Sequence, residues 1–141
     1  MKTSNLNLLF FVFILSLAAS SCGKVTVSTS TSSSSDNQLY FVESYDKDKG
    51  EINKSERFSP GALTVVLNCQ GKKQKLGVTE IEMKIENLST HDIKTSVFPV
   101  NSEFDYVWFS NVNFPEPAKY KVTCSKPDGS VLASNEVEIA N

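Results

Sequence analysis

From Leu39 onward, apolar residues recur at every second position, and nothing else in the chain constrains its fold as much. Successive side chains of an extended strand point to opposite faces. Period two therefore marks half-buried strands, whereas an amphipathic helix shows the longer helical period. The alternation stops at polar, Gly- and Pro-bearing clusters, which are turn chemistry. Read this way, residues 37–141 predict seven strands: Leu39–Tyr45, Ala62–Cys69, Val78–Glu86, Ile93–Phe98, Phe104–Phe109, Lys119–Ser125 and Val131–Ala140. A short extended piece, Glu51–Lys54, lies between the first two. Lys126-Pro127-Asp128-Gly129-Ser130 reads as a tight hairpin turn, and Ser134-Asn135 as the place where the last strand bulges. No stretch keeps a helical period for more than two turns. The expectation is an all-β domain, a seven-stranded antiparallel sandwich with almost no helix.

The inward faces follow from the same alternation. In the second strand they are Leu63, Val65, Leu67 and Cys69; in the third, Ile81, Met83 and Ile85; in the sixth, Tyr120, Val122 and Cys124. The fifth strand offers two sets. Large aromatics dominate sandwich cores, so Phe104, Tyr106 and Trp108 are expected inside. Val107 and Phe109, with Phe114 from the Pro-rich corner that follows, are then left as an outward apolar patch for a partner.

The N-terminus has a different grammar. Lys2 is followed by an apolar run from Leu8 to Leu17, interrupted by Ser16, and then by Ala18-Ala19-Ser20-Ser21 and Cys22. A short basic end, an apolar centre too short for a permanent span and a small-residue cleavage region make a secretory signal. Cleavage before Cys22 would leave its thiol at the new N-terminus. This layout resembles a bacterial lipoprotein signal, which implies lipid on Cys22 and a membrane as partner. Ala19 and Ser21 stand where that pattern prefers Leu and Ala or Gly, and Ala19-Ser20-Ser21 also passes as an ordinary cleavage site. A eukaryotic secreted protein would have the same layout, with Asn53-Lys54-Ser55 and Asn87-Leu88-Ser89 as glycosylation sequons. Under the lipoprotein resemblance, Gly23, not being acidic, implies sorting to the outer membrane. Residues 1–21 are thus expected as signal peptide, 22–36 as lipidated Cys plus Ser/Thr-rich tether, and 37–141 as the domain. A flexible tether of that length has an end-to-end distance of roughly 20 Å.

Residues 37–141 hold 12 basic and 15 acidic side chains, a net of −3. No basic face exists to attract nucleic acid, and no polybasic run to hold anionic lipid. With Cys22 assigned to lipid, an oxidising compartment would pair Cys69 with Cys124, both on inward faces. Two free buried thiols acting as small hydrophobes are the alternative.

In a seven-strand Greek-key sandwich the second and sixth strands face each other across the core. The two cysteines and Tyr120-Lys121-Val122-Thr123-Cys124 resemble an immunoglobulin-like domain. There are departures: the only Trp is Trp108, on the fifth strand instead of the third, and Val122 stands where antibody domains place a tyrosine. A bacterial immunoglobulin-like or fibronectin-III-like sandwich is the closer comparison. The resemblance implies a bridge closing a loop of about 55 residues, worth roughly 4 kcal/mol on the chain-entropy model.

Catalytic chemistry finds no support. His91 is the only histidine, in a polar loop, with no nucleophile motif to serve. Asp46-Lys47-Asp48-Lys49-Gly50-Glu51 alternates oxygen ligands as calcium loops do, but Gly50 takes the third ligand position and Arg57 the twelfth. No enzyme, metal or cofactor is expected. The expectation is a membrane-anchored binding or envelope-structural lipoprotein whose partner is an envelope protein or a glycan. The alternative is a small envelope inhibitor of a lytic enzyme, although the Ser-Gly-x-x-Tyr motif of lysozyme-inhibitor lipoproteins is absent.

Overall fold

The computed structural model describes residues 37–141. The expectations for the signal peptide, Cys22, Gly23 and the tether lie outside the described residues. The domain is all-β, with two sheets and one short 3-10 turn at Gln70–Lys72. Nine strands are present where the alternation predicts seven. They are β1 (Gln38–Asp46), β2 (Gly50–Ser55), β3 (Arg57–Phe58), β4 (Gly61–Asn68), β5 (Glu80–Asn87), β6 (Ile93–Pro99), β7 (Tyr106–Phe114), β8 (Ala118–Ser125) and β9 (Val131–Ile139). The two added strands are β2, which the sequence shows only as a short extended piece, and β3, too short for any periodicity to register.

The first sheet has the order β2-β1-β4-β7 and the second β3-β9-β8-β5-β6. Every pairing is antiparallel except β3 with β9, which runs parallel with Arg57 opposite Glu138 and Phe58 opposite Ile139. The chain therefore crosses from one sheet to the other at Glu56, and the purely antiparallel expectation is corrected there.

The two sheets close on one core. The first contributes Phe41, Leu63, Val65, Leu67 and Cys69; the second Ile81, Met83, Val122, Cys124, Val137 and Ile139. The inward faces read for β4 and β8 are the ones the structure buries. Phe114 joins the sheets: its ring meets Phe41 edge-on at 6.4 Å and Tyr120 at 5.2 Å. Burying one such side chain contributes about 1.5–3 kcal/mol. The Tyr120 hydroxyl also donates to the Glu116 carbonyl oxygen at 3.0 Å, which ties the start of β8 to the corner before it.

Two bulges set the faces. On β4 the partners step from Leu63 to Val65, while on β7 they step from Val112 to Phe109. One extra residue thus sits at Ser110-Asn111, with Asn111 in the left-handed region at φ 60°, a conformation Asn tolerates better than most residues. The extra residue shifts the inward set from Val107 and Phe109 to Val112 and Phe114. The other bulge lies on β9. Cys124 pairs with Ala133 and Ser125 with Val131, so the extra residue is Leu132, before the Ser134-Asn135 position that the sequence suggested.

Candidate functional site

The register of β7 on β4 overturns the expected partner patch, and the bulge brings Phe114 onto the same inward face. Val107 and Phe109 are buried, and Phe114 is fully enclosed within the core. Phe114 ends a strand and does not sit in a loop. The set expected inside faces out instead: Trp108 is 41% exposed and Phe104 51%, with Tyr106 half-buried. The physical reason is register. Val107 and Phe109 pair with Leu67 and Val65 on the core face of β4, so the intervening residues have to point away.

The outward aromatics are built into a layer. β1 pairs with β4 only as far as Val42, while its pairing with β2 continues to Asp46. In the ladder, Tyr40 lies at the level of Val66 and Trp108. Yet the ring of Tyr45, five residues further along, stacks on Trp108 at 4.1 Å and 17°. The β1–β2 hairpin must therefore leave the sheet after Val42 and curl back over its outer face. The regular register skips Glu43 and Asn53 at that point, and Asn53 has φ 53°. Val42, Thr64 and Val66 are buried although they lie outside the core cluster, and the returning hairpin accounts for this.

Glu51, near the hairpin tip, fastens the layer. One carboxylate oxygen accepts hydrogen bonds from the Tyr40 hydroxyl and, at 2.5 Å, from the Tyr106 hydroxyl. The Lys54 ammonium lies 3.6 Å from the Tyr40 ring centroid, and Asn53 donates to Glu43. Burial, and then the Glu51 carboxylate, push the Tyr40 phenol up to about 12. The same causes, with Tyr40 added, raise Tyr106 further. The phenols are thus neutral donors.

On the other flank of Trp108 lies a groove of about 610 Å³ between the free edges of β6 and β7. Phe98, Pro99, Val100 and Asn101 form one wall, and Phe104 with Tyr106 through Ser110 the other. The rings of Phe98 and Phe109 meet at 4.9 Å where the sheets approach. Phe104 stands at the rim on a loop held by backbone hydrogen bonds. Leu76 donates to the Phe104 carbonyl at 2.8 Å, Gly77 to Ser102 at 2.9 Å and Cys69 to Asp105 at 2.7 Å. An apolar ring this exposed on a loop this well tied is presented, not frayed.

The remaining predicted positions have ordinary roles. Cys69 and Cys124 are free thiols, so the expected bridge is not formed. Both are buried core side chains, and they are close enough that Cys69, after burial, helps push the Cys124 thiol up to about 12. Asp46 accepts the backbone N–H groups of Lys49 and Asp48, which hold its carboxyl below the usual range. It caps a hairpin turn. His91 is exposed, 3.9 Å from Glu86. Among the described residues no three metal-ligating side chains gather, and no helix is long and apolar enough to cross a membrane.

The sequence carried one signal for the aromatic site. Val107-Trp108-Phe109 and Val112-Asn113-Phe114 are two Val-x-Phe blocks separated by Ser110-Asn111. Two in-phase blocks offset by one residue are what a bulged strand writes. No family model, curated protein or solved structure matches the chain.

Proposed function

We propose that this chain is an exported, non-catalytic binding protein. Cys22 anchors it by lipid in a bacterial outer membrane, and the aromatic side of β7 engages an envelope partner. The observation that carries the binding role is the pair Phe104 and Trp108, held open to solvent beside an apolar groove while most other large apolar side chains are covered. Apolar surface of this kind is removed from water when a partner docks. The anchoring role rests on the layout of residues 2–22.

The domain is read as immunoglobulin-like. Support comes from the order β1-β4-β7 against β9-β8-β5-β6, and from Cys69 and Cys124 meeting in one core. The Tyr120 hydrogen bond to Glu116 also has the form of a tyrosine corner, displaced by two residues from its antibody position.

Photo-crosslinking in the native envelope tests the reading. A crosslinker at position 104 or 108 should trap a partner that one at Lys84, on the outer face of the other sheet, does not. Equal trapping from Lys84, or none from 104 and 108, would sink the assignment. Intact mass of the mature chain tests the anchor: acylation at Cys22 is expected, and an unmodified N-terminus contradicts it.

A further inference from the structure

Four strands lie at sheet edges: β2 and β7 in the first sheet, β3 and β6 in the second. An edge strand leaves alternate N–H and C=O groups unpaired. Soluble proteins blunt such rows with charge, Pro or brevity. β2 carries Glu51 and Lys54, β6 carries Lys94 and Pro99, and β3 has two residues. β7 has nine residues and contains no Lys, Arg, Asp, Glu or Pro. Its bulge at Ser110-Asn111 interrupts only the second half. Tyr106–Phe109 remains a regular, unprotected edge, and the apolar groove lies along that half.

Resting on the binding role proposed above, we infer that the β7 edge takes an extended polypeptide segment of the partner as an added strand. An apolar side chain of that segment enters the groove among Phe98, Phe104 and Trp108. Strand addition needs a row of free backbone groups and a pocket for alternate side chains, and both occur here in one place. The lining has no carboxylate, ammonium or guanidinium group. The paired stretch of the partner is therefore uncharged, apolar at alternate positions and free of Pro.

Two other occupants fit less well. A glycan wants many polar groups, and the nearby carboxylates Glu51 and Glu43 are already engaged by tyrosines and by Asn53. A second copy pairing β7 with β7 antiparallel over the whole strand, centred on Ser110, would set Glu103 and Asp105 of one chain toward Glu116 of the other, and like charges disfavour that register.

Selection of random linear peptides, about nine residues long, against the full chain in detergent tests this. Selected peptides should show alternating apolar positions without Pro and should slow hydrogen exchange of amides in 106–109. N-methylation of alternate peptide amides should weaken binding about tenfold or more, since each donor lost matters by roughly that factor. Phe104→Ser with Trp108→Ser should weaken it likewise, while Lys84→Ser leaves it unchanged. Peptides indifferent to N-methylation, or protection elsewhere, would overturn the inference. So would amide protection at β7 that grows with protein concentration alone, which indicates a second copy. If no peptide is selected while soluble envelope oligosaccharides quench Trp108 fluorescence, the occupant is a glycan: the binding face stands and strand addition falls. If position-specific crosslinking from 104 and 108 also fails, the binding face falls with it.

Discussion

Tyr45 stacks on Trp108 at 4.1 Å although the two residues are on strands separated by β4. That contact exists only because the β1–β2 hairpin folds over the outer face of its sheet. Stacked aromatic pairs contribute about 0.5–1.5 kcal/mol beyond area burial. A double-mutant cycle with Tyr45→Ala and Trp108→Ala should therefore give a coupling near 1 kcal/mol by denaturant unfolding. Strict additivity would mean that the hairpin does not rest there.

The two aromatic sets of β7 should respond oppositely to truncation. Phe114→Ala removes a ring packed on Phe41 and Tyr120 and should cost about 3–5 kcal/mol. Phe104→Ser, at a ring 51% exposed, should stay within roughly 1 kcal/mol. Thermal melts of the two variants check this, and equal losses would reverse the assignment of faces.

The reversal shows where the sequence stopped being legible. Period two reveals which residues share a face, and for β8 it also reveals which face is inside, because Lys119, Lys121, Thr123 and Ser125 make the other plainly polar. In β4 the outer set Ala62, Thr64, Val66 and Asn68 is only the less apolar of the two, and Thr64 and Val66 are buried as well. In β7 both faces are apolar, so burial follows from the partner strand. Val107 and Phe109 are inside because they meet Leu67 and Val65, information that no local window contains. The aromatic bulk of Trp108 argued for the core, but cross-strand register outweighed it. The place of β2 in the site is hidden from the sequence for a similar reason. Glu51 matters because the hairpin brings it to Tyr106, 55 positions away. The turns, by contrast, were local and readable. Gly129, at φ 87°, closes the Lys126–Ser130 hairpin with its N–H on the Lys126 carbonyl at 2.9 Å.

The thiols give a prediction with a countable outcome. Cys69 and Cys124 are 2% and 0% exposed, and burial raises both above the ordinary thiol range. Reaction with iodoacetamide depends on exposed thiolate. The domain 37–141, which lacks Cys22, should therefore incorporate no label at neutral pH when native and two labels when unfolded, counted by mass. Full labelling of the native domain would mean that the core is open. No labelling of the unfolded, unreduced domain would mean that Cys69 and Cys124 had been oxidised to a disulfide.

Stability should fall in alkali, and the sign follows from the direction of the shifts. Cys124 is raised from 9.0 to about 12, with burial as the main cause and Cys69 second. Tyr40 is raised from 10.0 to about 12 by burial and by the Glu51 carboxylate. A group whose folded pKa lies above its unfolded value keeps its proton longer in the native state. Its contribution is fully present below the unfolded value and is lost as pH rises toward the folded one. The denaturant midpoint should thus be flat up to about pH 9 and decline between about pH 9 and 12. Cys124→Ala and Tyr40→Phe should each make that decline shallower, Cys124→Ala from the lower edge of the window and Tyr40→Phe from about one unit higher. A decline of unchanged slope in both variants would assign the alkaline loss to other groups. A loss beginning below pH 8 would contradict the buried, protonated thiol at its origin.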